Sequence, residues 1–155
     1  MRHTIDSPIG TITIIAEDGA ITGIYFGDTF SHVPLGNNTV LDLCKKELDS
    51  YFAGNLQEFT VPINPIGTSF RQQVWKALLQ IPYGKTASYR DIAVRIENPK
   101  SVRAVGGANH NNPISIIIPC HRVIGANGSL TGYGGGLDAK KWLLELEEKH
   151  SLLQY

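Results

Sequence analysis

Hydrophobic positions near the start of the chain come in short β-branched runs. Arg2–Asp6, Thr11–Ala16 and Ile21–Phe26 each read as a strand, separated by Ser7-Pro8-Ile9-Gly10 and by Asp18-Gly19, which are turn-forming sequences. After a loop, Asp28–Asn38, the period changes. Val40, Leu43, Cys44, Leu48, Tyr51 and Phe52 recur at helical spacing, so Thr39–Ala53 reads as a helix, with Thr39 and Asp42 as a capping box and Gly54 as its stop. Asn55–Gly67, with Pro62 and Pro65, is an irregular connection.

Beyond it the pattern is mostly helical. Phe70, Val74, Ala77, Leu78 and Ile81 line one face of a helix over Ser69–Ile81, capped by Ser69 and Gln72 and ended by Pro82 and Gly84. Ser88–Ile96 and Pro99–Asn109 form two short helices around the turn Glu97-Asn98-Pro99, with Ser88/Asp91 as a capping box and Asn98 as the second cap. This is helix-turn-helix spacing, and a plain helical hairpin shares it. Ile114, Ile116, Ile117 and Ile118 read as a buried strand that Pro119 ends. Gly125–Gly136 is glycine-rich, with spacing that fits neither a P-loop nor a dinucleotide fingerprint. Leu137–Lys149 is the last helix, with Glu147 turned inward and Glu145 and Glu148 toward solvent.

Composition narrows the class. A chain of 155 residues, 42% hydrophobic and 18% charged, suits one globular domain or two small ones. No run approaches the ~18 apolar residues of a membrane span, and Met1–Asp6 lacks a signal peptide's apolar core, so a cytoplasmic protein with two free thiols is expected. The zero net charge hides an asymmetry. Residues 1–67 carry a net −5, whereas residues 68–125 carry eight Lys and Arg against two acids, a net +6. The basic segment is a candidate nucleic-acid footprint, and small residues on the exposed side of the second short helix would let a sugar-phosphate chain come close. The domains read as 1–62, a linker at 63–67, and 68–155.

The chemistry centres on Ile118-Pro119-Cys120-His121-Arg122-Val123. A thiol at the end of a buried segment, flanked by two potential cations, is a setting that lowers a thiol pKa and favours a nucleophile. His121 is the nearest base, reaching the sulfur through a bridging water, and Glu147 is placed to fix its tautomer. Cys44 lies on an apolar stripe and reads as structural. His3 and His32 lack metal-ligand partners, so no metal is expected.

The same segment resembles the active-site motif of the 6-O-alkylguanine-DNA alkyltransferases, and the similarity runs from about Thr68 to Glu147. The resemblance implies an α+β protein. A small strand-rich, ribonuclease-H-like N-terminal domain precedes a helical, winged-helix-like DNA-binding domain. It implies repair by direct reversal, in which an alkyl group passes irreversibly from 6-O-alkylguanine, with 4-O-alkylthymine as a second candidate, to Cys120. By resemblance Cys120, His121 and Glu147 form the relay, Tyr89 lies over the flipped nucleotide, and Asn112 is a hinge asparagine. Arg103 is the finger that fills the vacated stack, beside Ser101, Ala104 and Gly106 on the DNA-contacting helix. Val123, Tyr133, Gly134 and Gly135 form the substrate pocket. Gly134 stands where the family often carries a hydroxyl residue, so a side-chain donor to the guanine oxygen is lost. Some members bind zinc in the N-terminal domain, and this chain lacks the matching cysteines. The implied state is a cofactor-free monomer acting on double-stranded DNA, with no membrane partner. A cysteine hydrolase, a module that recognises alkylated bases without repair, and a structural helix-turn-helix protein with an inert thiol are the alternatives.

Overall fold

The computed structural model describes residues 1–151. Three antiparallel strands, β1 (Arg2–Ser7), β2 (Gly10–Glu17) and β3 (Ala20–Phe26), form a sheet in that order. Asp18 and Gly19 both take positive φ, 50° and 79°, as a two-residue hairpin matching the strand twist requires. Helix α1 (Thr39–Phe52) packs on this sheet. Its cap is Asn38 rather than Thr39: Asn38 is extended and its side chain accepts the Leu41 amide at 2.8 Å. A cap must itself stand outside the helical conformation. The buried stripe is Leu41, Cys44, Leu48, Tyr51 and Phe52, with Leu43 37% exposed in place of the expected inward position. Glu47 falls on the buried stripe too, where its carboxylate accepts the Thr60 and Val61 amides, each at 2.9 Å, and so fastens the connection to α1.

Helix α2 (Ser69–Leu78) is capped one residue early as well, by Thr68 onto the Arg71 amide at 3.2 Å. Trp75, absent from the expected apolar face, is buried and donates its indole N–H to the Ala108 carbonyl at 2.9 Å. The two-residue strand β4 (Ala87–Ser88) leads into α3 (Tyr89–Arg95), where the Ser88/Asp91 capping box forms as expected. Helix α4 (Val102–His110) begins three residues later than Pro99. The Asn98 carbonyl, not its side chain, holds the turn, accepting the Ser101 amide at 3.0 Å and hydroxyl at 2.6 Å. Strand β5 (Val123–Ile124) pairs in parallel with β4, and α5 (Leu137–Ser151) closes the described chain.

The largest departure from the sequence reading lies before the cysteine. Residues 114–118 are not a strand but a tight turn, with Ile116 at φ 75° and the Ile118 amide donating to the Ile114 carbonyl at 3.0 Å. Ile114, Ile116, Ile117 and Ile118 are all buried, so the run carries no period that could distinguish turn from strand. Only its first residues touch the sheet. The Ile24 amide donates to the Pro113 carbonyl at 2.9 Å, while at the other end of β3 the Ile21 amide donates to Pro62 at 2.9 Å. Strand β3 therefore grips both the connection and the active-site approach, and a single core runs through both parts of the chain. No helix among the described residues is long and apolar enough to cross a membrane. The end of the expected second domain, residue 155, lies outside the described residues.

Candidate active site

Cys120 opens a single 3-10 turn, Cys120–Arg122, behind Pro119. Asn112 builds the approach. Its Nδ2 donates to the Ile118 carbonyl at 2.8 Å and its Oδ1 accepts the Ile114 amide at 3.0 Å, so one buried side chain ties both ends of the isoleucine turn. Cys120 is 4% exposed and lines a cavity of about 420 Å³. Asn112, Tyr133 and Gly134 share that cavity, and Tyr25, Phe26 and Phe30 wall it from the N-terminal sheet and the loop after it. The Phe26 ring meets Tyr133 edge-on at 5.3 Å between centroids. A Cβ on Gly135 would stand 3.0 Å from the Phe26 ring, whereas one on Gly134 would stand 3.8 Å away, in ordinary contact.

Behind Cys120 lies a buried charge cluster. His121 Nε2 is 2.7 Å from Glu147 Oε2, and both side chains are about fully enclosed, at 0% and 1% exposure. Arg122 clamps the same carboxylate, Nε to Oε1 at 2.8 Å and Nη2 to Oε2 at 3.1 Å, and donates Nη1 to the Ile81 carbonyl at 2.7 Å. Glu147 belongs inward, as its position on α5 suggested. Burial alone would raise its pKa, but the hydrogen bond from His121 and the hydrogen bonds and charge of Arg122 hold it down at about 2. An ionised carboxylate only accepts, so His121 donates from Nε2 and keeps Nδ1 as an acceptor. Nδ1 is buried and meets no partner among the described residues.

The electrostatics correct one expectation. Cys120 is not a preformed thiolate, because burial raises its pKa against the opposing pull of Asn112, Lys140 and Ser115. Neither flanking cation acts as one toward the sulfur. Burial lowers the His121 pKa and leaves the imidazole neutral, and Arg122 is engaged by Glu147. Burial, with the Glu47 charge behind it, pushes Cys44 up to about 12, which suits its structural reading.

Two residues of the cluster escaped the sequence reading. Tyr51 of α1 donates to Glu147 Oε2 at 2.5 Å, and buried Lys140 of α5 donates to the Val123 carbonyl at 2.6 Å and to Thr131 at 3.3 Å. Neither carries a local signal: Tyr51 has the spacing of a core aromatic, and Lys140-Lys141 looks like a solvated pair. Among the other candidates, Tyr89 is half-buried, hydrogen-bonded to the Thr131 hydroxyl, with its ring 3.9 Å from where a Gly106 Cβ would stand. Arg103 and Ala104 are exposed on α4, and Ser101 closes the turn before it. Tyr89, Val123 and Gly135 border the loop and relay rather than line the cavity.

Comparison with known proteins agrees with this arrangement. Residues 1–65 match the family model described as 6-O-methylguanine DNA methyltransferase, ribonuclease-like domain, and residues 69–149 match its DNA binding domain. A methylated-DNA–protein-cysteine methyltransferase of Mycolicibacterium paratuberculosis is 48% identical over 96% of this chain and 93% of its own length. That of Methanosarcina mazei is 46% identical over 96% of this chain and 97% of its own. The Mycobacterium tuberculosis protein solved in complex with DNA superposes with a TM-score of 0.89 at 49% identity, covering 96% of this chain and 93% of that one. With both parts of the chain matched in order and relatives 46–48% identical over nearly its whole length, the protein belongs to the 6-O-methylguanine DNA methyltransferase family.

Proposed function

We propose that this protein repairs duplex DNA by taking the alkyl group of 6-O-alkylguanine onto Cys120, once per molecule. The observation that carries the reading is a thiol at the wall of a cavity of about 420 Å³, next in sequence to a buried, oriented His–Glu pair. The cavity has the size of a small-molecule site, and a base inside a stacked duplex cannot enter it. The nucleotide must therefore be extruded, at a cost of a few kcal/mol that a weakened lesion pair reduces. Helix α4, with Ser101, Ala104 and Gly106, is the surface that meets DNA, and Arg103 fills the vacated stack. Tyr89 lies over the extruded nucleotide. Tyr133 and Gly134, which line the cavity, hold the base, with Gly135 and Val123 supporting them from beside it.

The reaction follows from the relay. The thiol proton passes through solvent to His121 Nδ1, and Glu147 stabilises the imidazolium that forms. Sγ attacks the alkyl carbon, the C–S bond forms as the C–O bond breaks, and guanine leaves with a proton supplied through the Tyr89 phenol. The product thioether has no hydrolytic exit, so the protein is consumed. The working form is a cytoplasmic, cofactor-free monomer, with residues 1–62 and the part from residue 68 as two domains joined by 63–67.

Titration with a duplex carrying one 6-O-methylguanine tests this. Repaired sites should saturate at one per protein molecule. Continued turnover would contradict the reading, and tight binding without repair would favour the recognition-only module.

A further inference from the structure

The proton relay draws on both parts of the chain. Glu147 accepts from His121, twice from Arg122 and from the Gly84 amide, all beyond residue 68, and from one group of the N-terminal part, the Tyr51 phenol. Tyr51 is fully buried on α1, and its ring packs against Phe52, Phe59 and Tyr83 at centroid distances of 5.7, 5.5 and 6.2 Å. A phenylalanine would serve that packing, and a buried hydroxyl is unfavourable unless it is hydrogen-bonded. Among the described residues the hydroxyl's acceptor is Oε2 of Glu147, the oxygen that also takes His121 Nε2–H, and the phenol oxygen stands 3.5 Å from Nε2 itself.

We propose that Tyr51 is a positioning residue of the relay: by donating to Oε2 it tempers the hold of Glu147 on His121 and so sets the pH at which His121 can accept the thiol proton. The inference rests on the relay reading given above. Burial and the negative charge of Glu147 keep the phenol protonated, so it is a donor throughout the working range. Donation draws charge from the oxygen that must stabilise the imidazolium. The other groups facing His121 are fixed in sign: Arg122 and Lys140 disfavour its protonation, Glu147 favours it, and neutral Cys120 and Tyr133 complete the surroundings. Tyr51 acts through Glu147 and touches no reacting atom.

The test compares the full chain, Tyr51→Phe, and the protein with 3-fluorotyrosine at position 51, a more acidic phenol and stronger donor. Two quantities are read: the ¹⁵N titration of the His121 side chain, and the single-turnover transfer rate against pH. With the donor removed, Glu147 holds the imidazolium more tightly. The His121 midpoint and the acid limb of the rate profile should rise by on the order of one pH unit. The fluorinated side chain should move both the other way. Unchanged midpoints in folded variants would overturn the proposal, and should Tyr51→Phe fail to fold, the near-isosteric fluorotyrosine protein decides alone. The ¹⁵N titration needs no transfer, so a wild-type protein that takes no methyl group refutes the functional reading while His121 still judges Tyr51.

Discussion

A buried, neutral thiol depends on its base at the moment of reaction. Burial keeps Cys120 protonated against the pull of Lys140, so the general-base contribution of His121 should be fully visible on mutation. His121→Gln, assayed by single-turnover transfer, should slow the reaction by roughly 10²–10⁴-fold with the fold intact. A change of less than threefold would remove His121 from the relay. Gly134 offers the opposite experiment. Its backbone is not in a glycine-only conformation, and a Cβ there would meet the Phe26 ring at 3.8 Å, so Gly134→Ser has room for its side chain. A hydroxyl facing the cavity would donate to the departing guanine oxygen, and the transfer rate should rise several-fold. The nucleophile, its base and the inward Glu147 were legible in sequence because they sit in one motif and one helical period. Tyr51 and Lys140 were not, because their roles come from α1 and the first turn of α5 meeting residues far away in sequence.

At the scale of the elements, α4 carries a contradiction that function resolves. Gly106 and Gly107 sit inside the helix, where each glycine costs about 0.5–1 kcal/mol relative to alanine. Gly106 lies beneath the Tyr89 ring, but nothing stands within 4 Å of a Cβ on exposed Gly107. Gly107→Ala should therefore stabilise the free protein, raising the urea midpoint by the equivalent of about 0.5–1 kcal/mol, while weakening duplex binding in a gel-shift titration. Stabilisation with unchanged binding would place the DNA elsewhere. Helices with a clear apolar stripe were readable, and their caps were read one residue late at Asn38 and Thr68, since both neighbours are chemically able to cap. The turn at 114–118 was misread because a segment enclosed on every side shows no polar face, and two-residue strands such as β4 and β5 carry no period at all.

For the whole molecule, β3 is the joint. It grips residues 62–64 at one end and 113–115 at the other, so the sheet that begins the chain also fixes the approach to Cys120. The Glu147 cluster joins the two parts a second time, through Tyr51 of α1, and links stability to pH. The Glu147 pKa is depressed in the folded protein, so its contribution is present above the ordinary carboxylate range and lost as pH falls toward about 2. His121 is held neutral in the fold, so below its ordinary value of 6.5 the unfolded chain gains a proton that the native state resists. Both effects have one sign. The urea midpoint should be highest near neutrality and fall as pH drops through about 6.5 and again below about 4.5, the ordinary values of the two groups. Glu147→Gln should flatten the lower step while costing about 3–5 kcal/mol at neutral pH, since Arg122 is left buried without its partner.

The most direct measurement is peptide mass spectrometry of the protein after incubation with a duplex containing one 6-O-methylguanine. One methyl group in place of one hydrogen, on the peptide containing Cys120 and in proportion to guanine restored, is the expected result. Restored guanine with an unmodified Cys120, or methylation at Cys44 instead, would contradict it.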